Sequence, residues 1–109
     1  MISNEIIIQG MNESIISSLG ERIKKVLLYG SVARGDNTAE SDIDCILIVD
    51  DIDTQITDAI DEFSAKMLIN YGAVFSIIPV KEDNFDNFKY NPLFINVNRD
   101  GVVLWQKSA

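Results

Sequence analysis

Two short motifs in this sequence carry side chains suited to phosphate and metal chemistry. Gly30 and Ser31 end one apolar run, and Asp42 and Asp44 lie at the start of the next. Glycine at a strand-to-helix turn lets the main chain approach a phosphate, whose negative charge is favoured by exposed amides and the helix N-terminus. Two aspartates separated by one residue on a strand point to the same face, ~7 Å apart at their roots, and repel each other unless a cation lies between them.

Mg²⁺ is the natural cation for such a pair, because it prefers carboxylate and phosphate oxygens. A phosphate-binding turn beside a site for two magnesium ions predicts binding of a nucleoside triphosphate and attack on a phosphoryl group. Each motif alone also has a structural explanation, because Gly-Ser turns and exposed acids at strand ends are common. The motifs support each other only if the two apolar runs are neighbouring strands that are antiparallel, or if the loop folds the aspartates back.

The pattern of apolar residues predicts the elements that position these motifs. Asn12 or Ser14 is a candidate cap for a short helix that Gly20 ends. Apolar runs predict strands at 25–29, 43–49, 73–80 and 102–105, and shorter helical segments are predicted at 81–88 and 91–97. A 3.6-residue period predicts a helix at 51–71 whose inward-facing stripe consists of Ile56, Ala59, Ile60, Phe63, Met67, Leu68 and Tyr71. The sequence therefore indicates an α/β (α+β) fold in one domain, 1–109: a small mixed sheet of about four strands with helices packed on one face.

Composition narrows the possible chemistry. The chain contains no histidine, which excludes Ser-His-Asp triads and histidine-ligated zinc. Its net charge of −8 argues against binding to long nucleic acids, which need the opposite balance. No apolar run reaches the ~20 residues of a membrane helix, so we expect a soluble, cytoplasmic protein. Cys45 lies within an apolar strand pattern and is predicted to be a small buried side chain rather than a reactive thiol.

The composite motif has a recognisable counterpart. Gly30-Ser31, ten residues and then Asp42-Ile43-Asp44 resembles the signature of the DNA polymerase β-like nucleotidyltransferase superfamily, and the string GSVARGD…SDID is most similar to the minimal nucleotidyltransferases (MNT). The resemblance implies the polymerase β-like nucleotidyltransferase fold. It implies that Gly30, Ser31 and Arg34 bind the nucleotide and that Asp42 and Asp44 are the catalytic, magnesium-binding carboxylates. Arg34 fits equally well as a helix-surface arginine paired with a nearby acid.

The same resemblance implies a function and a partner. Such proteins transfer a nucleoside monophosphate with magnesium, here AMP from ATP, to a hydroxyl of a protein or a small molecule. Minimal nucleotidyltransferases are paired with small helical HEPN-type proteins in toxin–antitoxin modules, which makes this chain a candidate antitoxin. A small-molecule acceptor would need a pocket completed by a second subunit, so an oligomer is also possible.

The sequence departs from the family at a third carboxylate, which active members carry on a later strand as metal ligand and base. The corresponding segment, AVFSIIPV, contains no acid, and Ser76 stands where the acid is expected. Asp51 lies ~23 Å along the chain from Asp44 at ~3.3 Å per residue, and Asp53 lies farther still, so both are better explained as helix caps. Loop acids such as Asp36 and Glu40 remain candidates. The alternative is therefore a weak or inactive enzyme that acts as a nucleotide-binding antitoxin.

Overall fold

The computed structural model of the chain describes residues 3–29, 42–85, 92 and 101–107. Within these residues, one four-stranded sheet packs against helices, which confirms the predicted α+β class. The helices are α1 (Asn4–Met11), α2 (Ser17–Leu19) and α3 (Thr54–Tyr71). The strands are β1 (Ile23–Tyr29), β2 (Ile43–Val49), β3 (Phe75–Lys81) and β4 (Val102–Gln106).

The N-terminal helical segment is longer than predicted. The hydroxyl of Ser3 accepts a hydrogen bond from the Ile6 N–H at 3.2 Å and caps α1. A π-helical turn at Asn12–Ile16 then joins α1 to α2, and the helix ends where Gly20 adopts a φ of 52°. The predicted cap at Asn12 or Ser14 is wrong because apolar residues recur every fourth position through this segment and keep one continuous face buried: Ile7, Met11, Ile15 and Leu19.

The sheet has the strand order β3-β2-β1-β4. Strand β2 runs antiparallel to β1 and parallel to β3, and β4 runs antiparallel to β1. The antiparallel neighbour relationship that the two motifs require is therefore present. Pro79 lies on β3, at the edge of the described sheet, where its missing N–H leaves no ladder hydrogen bond unmade.

The two faces of the sheet carry separate apolar clusters, as expected for strands without alternation. On one face, strand residues pack with the helices in the main core, which includes Val26, Cys45, Leu47, Met11 and Phe63. The opposite face carries a second buried cluster, consisting of Leu27, Tyr29, Ile46, Ile48 and Val80. The odd-numbered residues of β2 thus face the helices. The even-numbered residues, which include Asp44, face the other side.

Helix α3 is bounded by the signals that its sequence carries. The Asp53 carboxylate accepts a hydrogen bond from the Ile56 N–H at 3.2 Å, and Gly72 ends the helix in the left-handed conformation at a φ of 66°. The predicted inward stripe is confirmed for Ile56, Ile60, Phe63 and Met67, which are buried. It is wrong for Leu68 and Tyr71, which are 51% and 54% exposed. Leu68 follows the buried Met67 and is therefore turned about 100° away from the buried stripe, and Tyr71 lies at the rim of a cavity between α3 and α1.

The remaining predictions concern the end of the chain. A 3₁₀ turn at Glu82–Asn84 lies where the helical segment 81–88 is predicted to begin. Apart from Phe85 and Pro92, the rest of that segment and the predicted helix at 91–97 lie outside the described residues. No helix among the described residues is long and apolar enough to cross a bilayer.

Candidate functional site

The candidate site lies where β2 begins. Asp44 is the second residue of β2, and Asp42 immediately precedes the strand. In the sheet ladder, Asp44 is paired with Tyr29, the last residue of β1, on one side and with Ser76 of β3 on the other. Residues paired in this way point to the same face, so these three side chains form a row across the sheet on the face opposite the helices.

The two aspartates differ in their surroundings. Asp42 is exposed, whereas Asp44 is partly buried. Burial, and after it the negative charge of Asp42, raise the pKa of the Asp44 carboxyl above its usual value. Asp42 lies two residues before Asp44, and among the described residues no cation forms an ion pair or hydrogen bond with Asp44. Two carboxylates left in mutual repulsion are a donor set that fits a divalent cation.

The position on β3 at which the sequence analysis expects a third carboxylate is occupied by Ser76. Ser76 is in register with Asp44, which places the two side chains next to each other on the same face of the sheet. Among the residues that the structure describes, no group of three or more acids, cysteines or histidines is arranged to hold a metal ion. From the described elements, Asp42 and Asp44 are therefore the acids that remain for metal binding at this end of the sheet.

Tyr29 is a site residue that the sequence analysis missed. It is paired with Asp44, is 6% exposed, and directly precedes Gly30. Burial, followed by the charge of Asp44, raises the pKa of the Tyr29 phenol. The signal available in the sequence was its position as the last residue of a strand that leads into the glycine turn.

The pairing of β1 with β2 fixes the positions of Tyr29 and Asp42, which precede and follow the segment that contains the Gly-Ser motif. Gly30, Ser31 and Arg34, together with Asp36 and Glu40, lie outside the described residues. The segment nevertheless leaves β1 after Tyr29 and enters β2 at Ile43, and Tyr29 is paired with the residue next to Ile43. Tyr29, the residue before the Gly-Ser motif in the sequence, therefore lies at the same end of the sheet as the two aspartates.

The second Asp-x-Asp motif has the predicted capping role at Asp53 but not at Asp51. Asp53 caps α3 and, with Asp50, binds the guanidinium of Arg22 through contacts of 2.9–3.2 Å. Hydrogen bonds from Arg22 lower the pKa of the Asp53 carboxyl. Asp51 forms an ion pair of 3.9 Å with Lys81. These acids surround the opposite end of β2 and are paired with cations, so they do not contribute to the site at Asp44.

Comparison with known proteins identifies the family. The model of the nucleotidyltransferase domain family matches residues 13–90. MJ0604 of Methanocaldococcus jannaschii, whose name proposes that it is a protein adenylyltransferase, is 48% identical over 85 residues, which are 77% of this chain and 80% of that protein. The matched region contains both motifs and most of the described elements.

Two solved structures share the fold at low sequence identity. A toxin–antitoxin crystal structure with AMP-PNP superposes with a TM-score of 0.64 and 18% identity, over 98% of this chain and 76% of that chain. A complex of the tri-AMPylated Shewanella oneidensis HEPN toxin with an MNT antitoxin superposes with a TM-score of 0.58 and 14% identity, over 96% and 74%. The expected nucleotidyltransferase fold is thus confirmed. The family model and the 48% identical relative each cover most of the sequence. This chain therefore belongs to the nucleotidyltransferase domain family and is a nucleotidyltransferase.

Proposed function

We propose that this chain transfers AMP from ATP, with Mg²⁺, to a hydroxyl of a protein partner. The observation that carries the proposal is the pairing of Asp44 with Tyr29, because it brings the Asp42/Asp44 pair to the strand end from which Gly30 and Ser31 follow. The carboxylate pair for metal and Tyr29, after which the Gly-Ser motif begins in the sequence, are then at one end of the sheet. The relative named as a protein adenylyltransferase supports AMP as the transferred group and a protein as the acceptor.

Each site residue has a distinct role in this proposal. Asp42 and Asp44 hold magnesium, which when bound neutralises charge on the triphosphate. Gly30 and Ser31 bind phosphate oxygens through main-chain amides and a hydroxyl, and Arg34 adds a positive charge. The acceptor oxygen forms a bond to the α-phosphorus, the bond from that phosphorus to the bridging oxygen breaks, and pyrophosphate leaves. The hydroxyl loses its proton in the same reaction.

Strand β3 carries Ser76, and no acid, at the position next to Asp44, which limits the groups that can accept this proton. Serine does not accept a proton near neutral pH, so β3 supplies no base beside Asp44. Asp36 and Glu40, which the sequence analysis left as candidates, lie outside the described residues. We infer that, without a base from that segment, the proton passes to solvent, the ~10²–10⁴-fold contribution typical of general acid–base catalysis is lost and turnover is slow.

The partner in this proposal is a HEPN-type helical protein, and this chain is its antitoxin. Support comes from the complex of an AMPylated HEPN toxin with an MNT antitoxin that shares the fold. The net charge of −8 is compatible with a protein acceptor and unfavourable for a polynucleotide.

A second candidate function is neutralisation by binding alone. The replacement of the third carboxylate by Ser76 favours it, because nucleotide and metal can still bind while the transfer step is lost. In that case the chain acts as a nucleotide-binding antitoxin with little or no catalysis.

One experiment separates these functions. The purified chain is incubated with Mg²⁺, ATP labelled at the α-phosphate and its HEPN-type partner, and the partner is then examined for label and for loss of toxicity. Transfer predicts a labelled partner whose silencing and label both disappear in Asp42→Ala/Asp44→Ala. Neutralisation by binding predicts no label and unchanged silencing by the same variant. Label on the partner with the double variant would contradict the assigned metal ligands.

A further inference from the structure

The number of metal ions that the candidate site can hold depends on how many carboxylates face it. Strand β2 is flanked on both sides, so Asp44 has a ladder partner on each neighbouring strand. These partners are Tyr29 on β1 and Ser76 on β3, and both point to the same face of the sheet as Asp44. Neither carries a carboxylate. The row across the sheet therefore supplies one carboxylate, and Asp42, two residues before Asp44, supplies a second.

Tyr29 and Ser76 add no negative charge beside Asp44. Phenols and alcohols are uncharged near neutral pH, and a neutral oxygen that contacts a metal ion does not offset the charge of that ion. Tyr29 is 6% exposed and packs in the second apolar cluster on this face, so the β1 side of Asp44 is occupied by apolar protein. The β3 side, at Ser76, is left without the anion that a carboxylate would provide.

The other acids next to β2 lie at its opposite end. Asp50 and Asp53 contact the guanidinium of Arg22 at 2.9–3.2 Å, and the six residues from Asp44 to Asp50 span ~20 Å of strand. The described part of the chain contains no cluster of three or more acids, cysteines or histidines able to hold a metal ion. The described donor set at the site thus consists of the carboxylates of Asp42 and Asp44.

A second magnesium ion needs more negative charge than this pair provides. In two-metal sites the ions lie ~3.5–4 Å apart, and because each carries two charges they repel about four times as strongly as two unit charges would. An ion that contacts the triphosphate gains anionic oxygens from the nucleotide. An ion on the acceptor side depends mainly on protein carboxylates to offset that repulsion. Two carboxylates and a triphosphate therefore fit one ion well and a second ion poorly.

We propose that the site binds one Mg²⁺ together with ATP, held by Asp42 and Asp44, and that Ser76 prevents tight binding of a second ion. The proposal rests on the proposed function, because it takes this site to bind Mg²⁺ with ATP. It replaces the two ions expected from the sequence, since that expectation did not count the charge lost at Ser76. The acceptor hydroxyl then has neither a base on β3 nor a metal ion beside it, and its placement depends on how the acceptor docks.

Electron paramagnetic resonance with Mn²⁺ counts the ions. Mn²⁺ can replace Mg²⁺ at oxygen ligands, and two Mn²⁺ ions ~3.5–4 Å apart couple their electron spins, which a single ion does not show. The full chain is titrated with Mn²⁺ and α,β-methylene-ATP, in which the bond that AMP transfer breaks is not cleaved. A titration of the nucleotide alone corrects for ions that the nucleotide binds in solution.

Three variants test whether Ser76 sets the count. Ser76→Asp supplies the missing carboxylate, and Ser76→Asn supplies a neutral side chain of the same shape. Ser18→Asp is the matched control, because it adds the same charge at an exposed serine on α2. Thermal unfolding is measured for each variant, and the ion count of the original chain does not depend on whether any variant folds.

We expect the original chain to bind one Mn²⁺, with a second ion at least about tenfold weaker and no spin coupling. Ser76→Asp should tighten the second ion at least about tenfold and produce spin coupling, whereas the other two variants should match the original chain. A spin-coupled pair in the original chain, or a folded Ser76→Asp variant without a tighter second ion, would overturn this inference alone. If the chain and nucleotide bind no Mn²⁺ beyond that bound by the nucleotide, the proposed function fails as well.

Discussion

Replacing Asp44 by asparagine should stabilise the metal-free protein, because the repulsion between Asp42 and Asp44 is then removed. At ~7 Å, two unit charges repel by ~0.6 kcal/mol in bulk water and by ~2.4 kcal/mol at the effective dielectric of a protein surface. Asp44 is partly buried, so we expect about 1–2 kcal/mol at low salt. For a domain of this size, that corresponds to a rise in Tm of roughly 4–8 °C, measured by calorimetry or differential scanning fluorimetry.

The effect should depend on pH in a defined direction. The pKa of Asp44 is raised in the folded state, so its ionised form costs stability, and that cost is present when the pH lies above the folded-state pKa. As the pH falls through that value, the original protein regains stability and the advantage of Asp44→Asn shrinks. Mg²⁺ should raise the Tm of the original protein more than that of the variant.

The matched control is Asp61→Asn, which changes the net charge equally at an exposed acid on α3. We expect a Tm change within about 2 °C for this variant, since surface substitutions away from special features fall within ~0.5 kcal/mol. A lower Tm for Asp44→Asn than for the original protein at neutral pH would refute the reasoning. An equal response of both proteins to Mg²⁺ would refute the metal assignment.

Three further outcomes are expected. Ser76→Asp places a carboxylate in register with Asp44, so it should lower the Tm of the metal-free protein and tighten Mg²⁺ binding, measured by calorimetry, about tenfold. Unchanged Mg²⁺ affinity, or equal tightening in Ser76→Asn, would contradict the argument from register. Gly72→Ala forces a side chain at a φ of 66° and should cost about 1–2 kcal/mol in urea unfolding, with Gly72→Asn costing less; a neutral alanine would show that the turn tolerates side chains. Burial raises the pKa of the Cys45 thiol to about 12, so iodoacetamide at pH 8 should label the unfolded protein and leave the folded protein unmodified. Rapid labelling of the folded protein would contradict the burial of Cys45.

The fold was largely readable from the sequence where local signals are strong. Strand β2 was predicted with its observed bounds, because its residues other than Asp44 are all apolar and acids precede and follow them. The end of α3 was predicted at Gly72, because glycine readily adopts the left-handed conformation that commonly ends a helix. The N-terminal helix was predicted too short, because Asn12 and Ser14 resemble caps although tertiary burial of every fourth residue continues the helix through them.

The site could be predicted only in part from the sequence, because the register between strands depends on residues that are distant in the sequence. The sequence identified Asp42 and Asp44 from their spacing and marked Ser76 as the replaced acid. It did not show that Tyr29 and Ser76 are the ladder partners of Asp44, since that requires knowing which residues of β1, β2 and β3 are paired. Periodicity also assigned Leu68 and Tyr71 to the core, because it does not reveal which apolar residues beside the buried stripe are covered.

A crystal structure of the chain grown with Mn²⁺ and a non-hydrolysable ATP analogue tests the assignment of the site most directly. Mn²⁺ can replace Mg²⁺ at oxygen ligands and gives an anomalous signal that locates the ion. We expect the ion about 2.0–2.3 Å from carboxylate oxygens of both Asp42 and Asp44, with a triphosphate oxygen on its other side. Nucleotide bound elsewhere on the chain, or a metal ion at the triphosphate that neither aspartate contacts, would contradict the central claim.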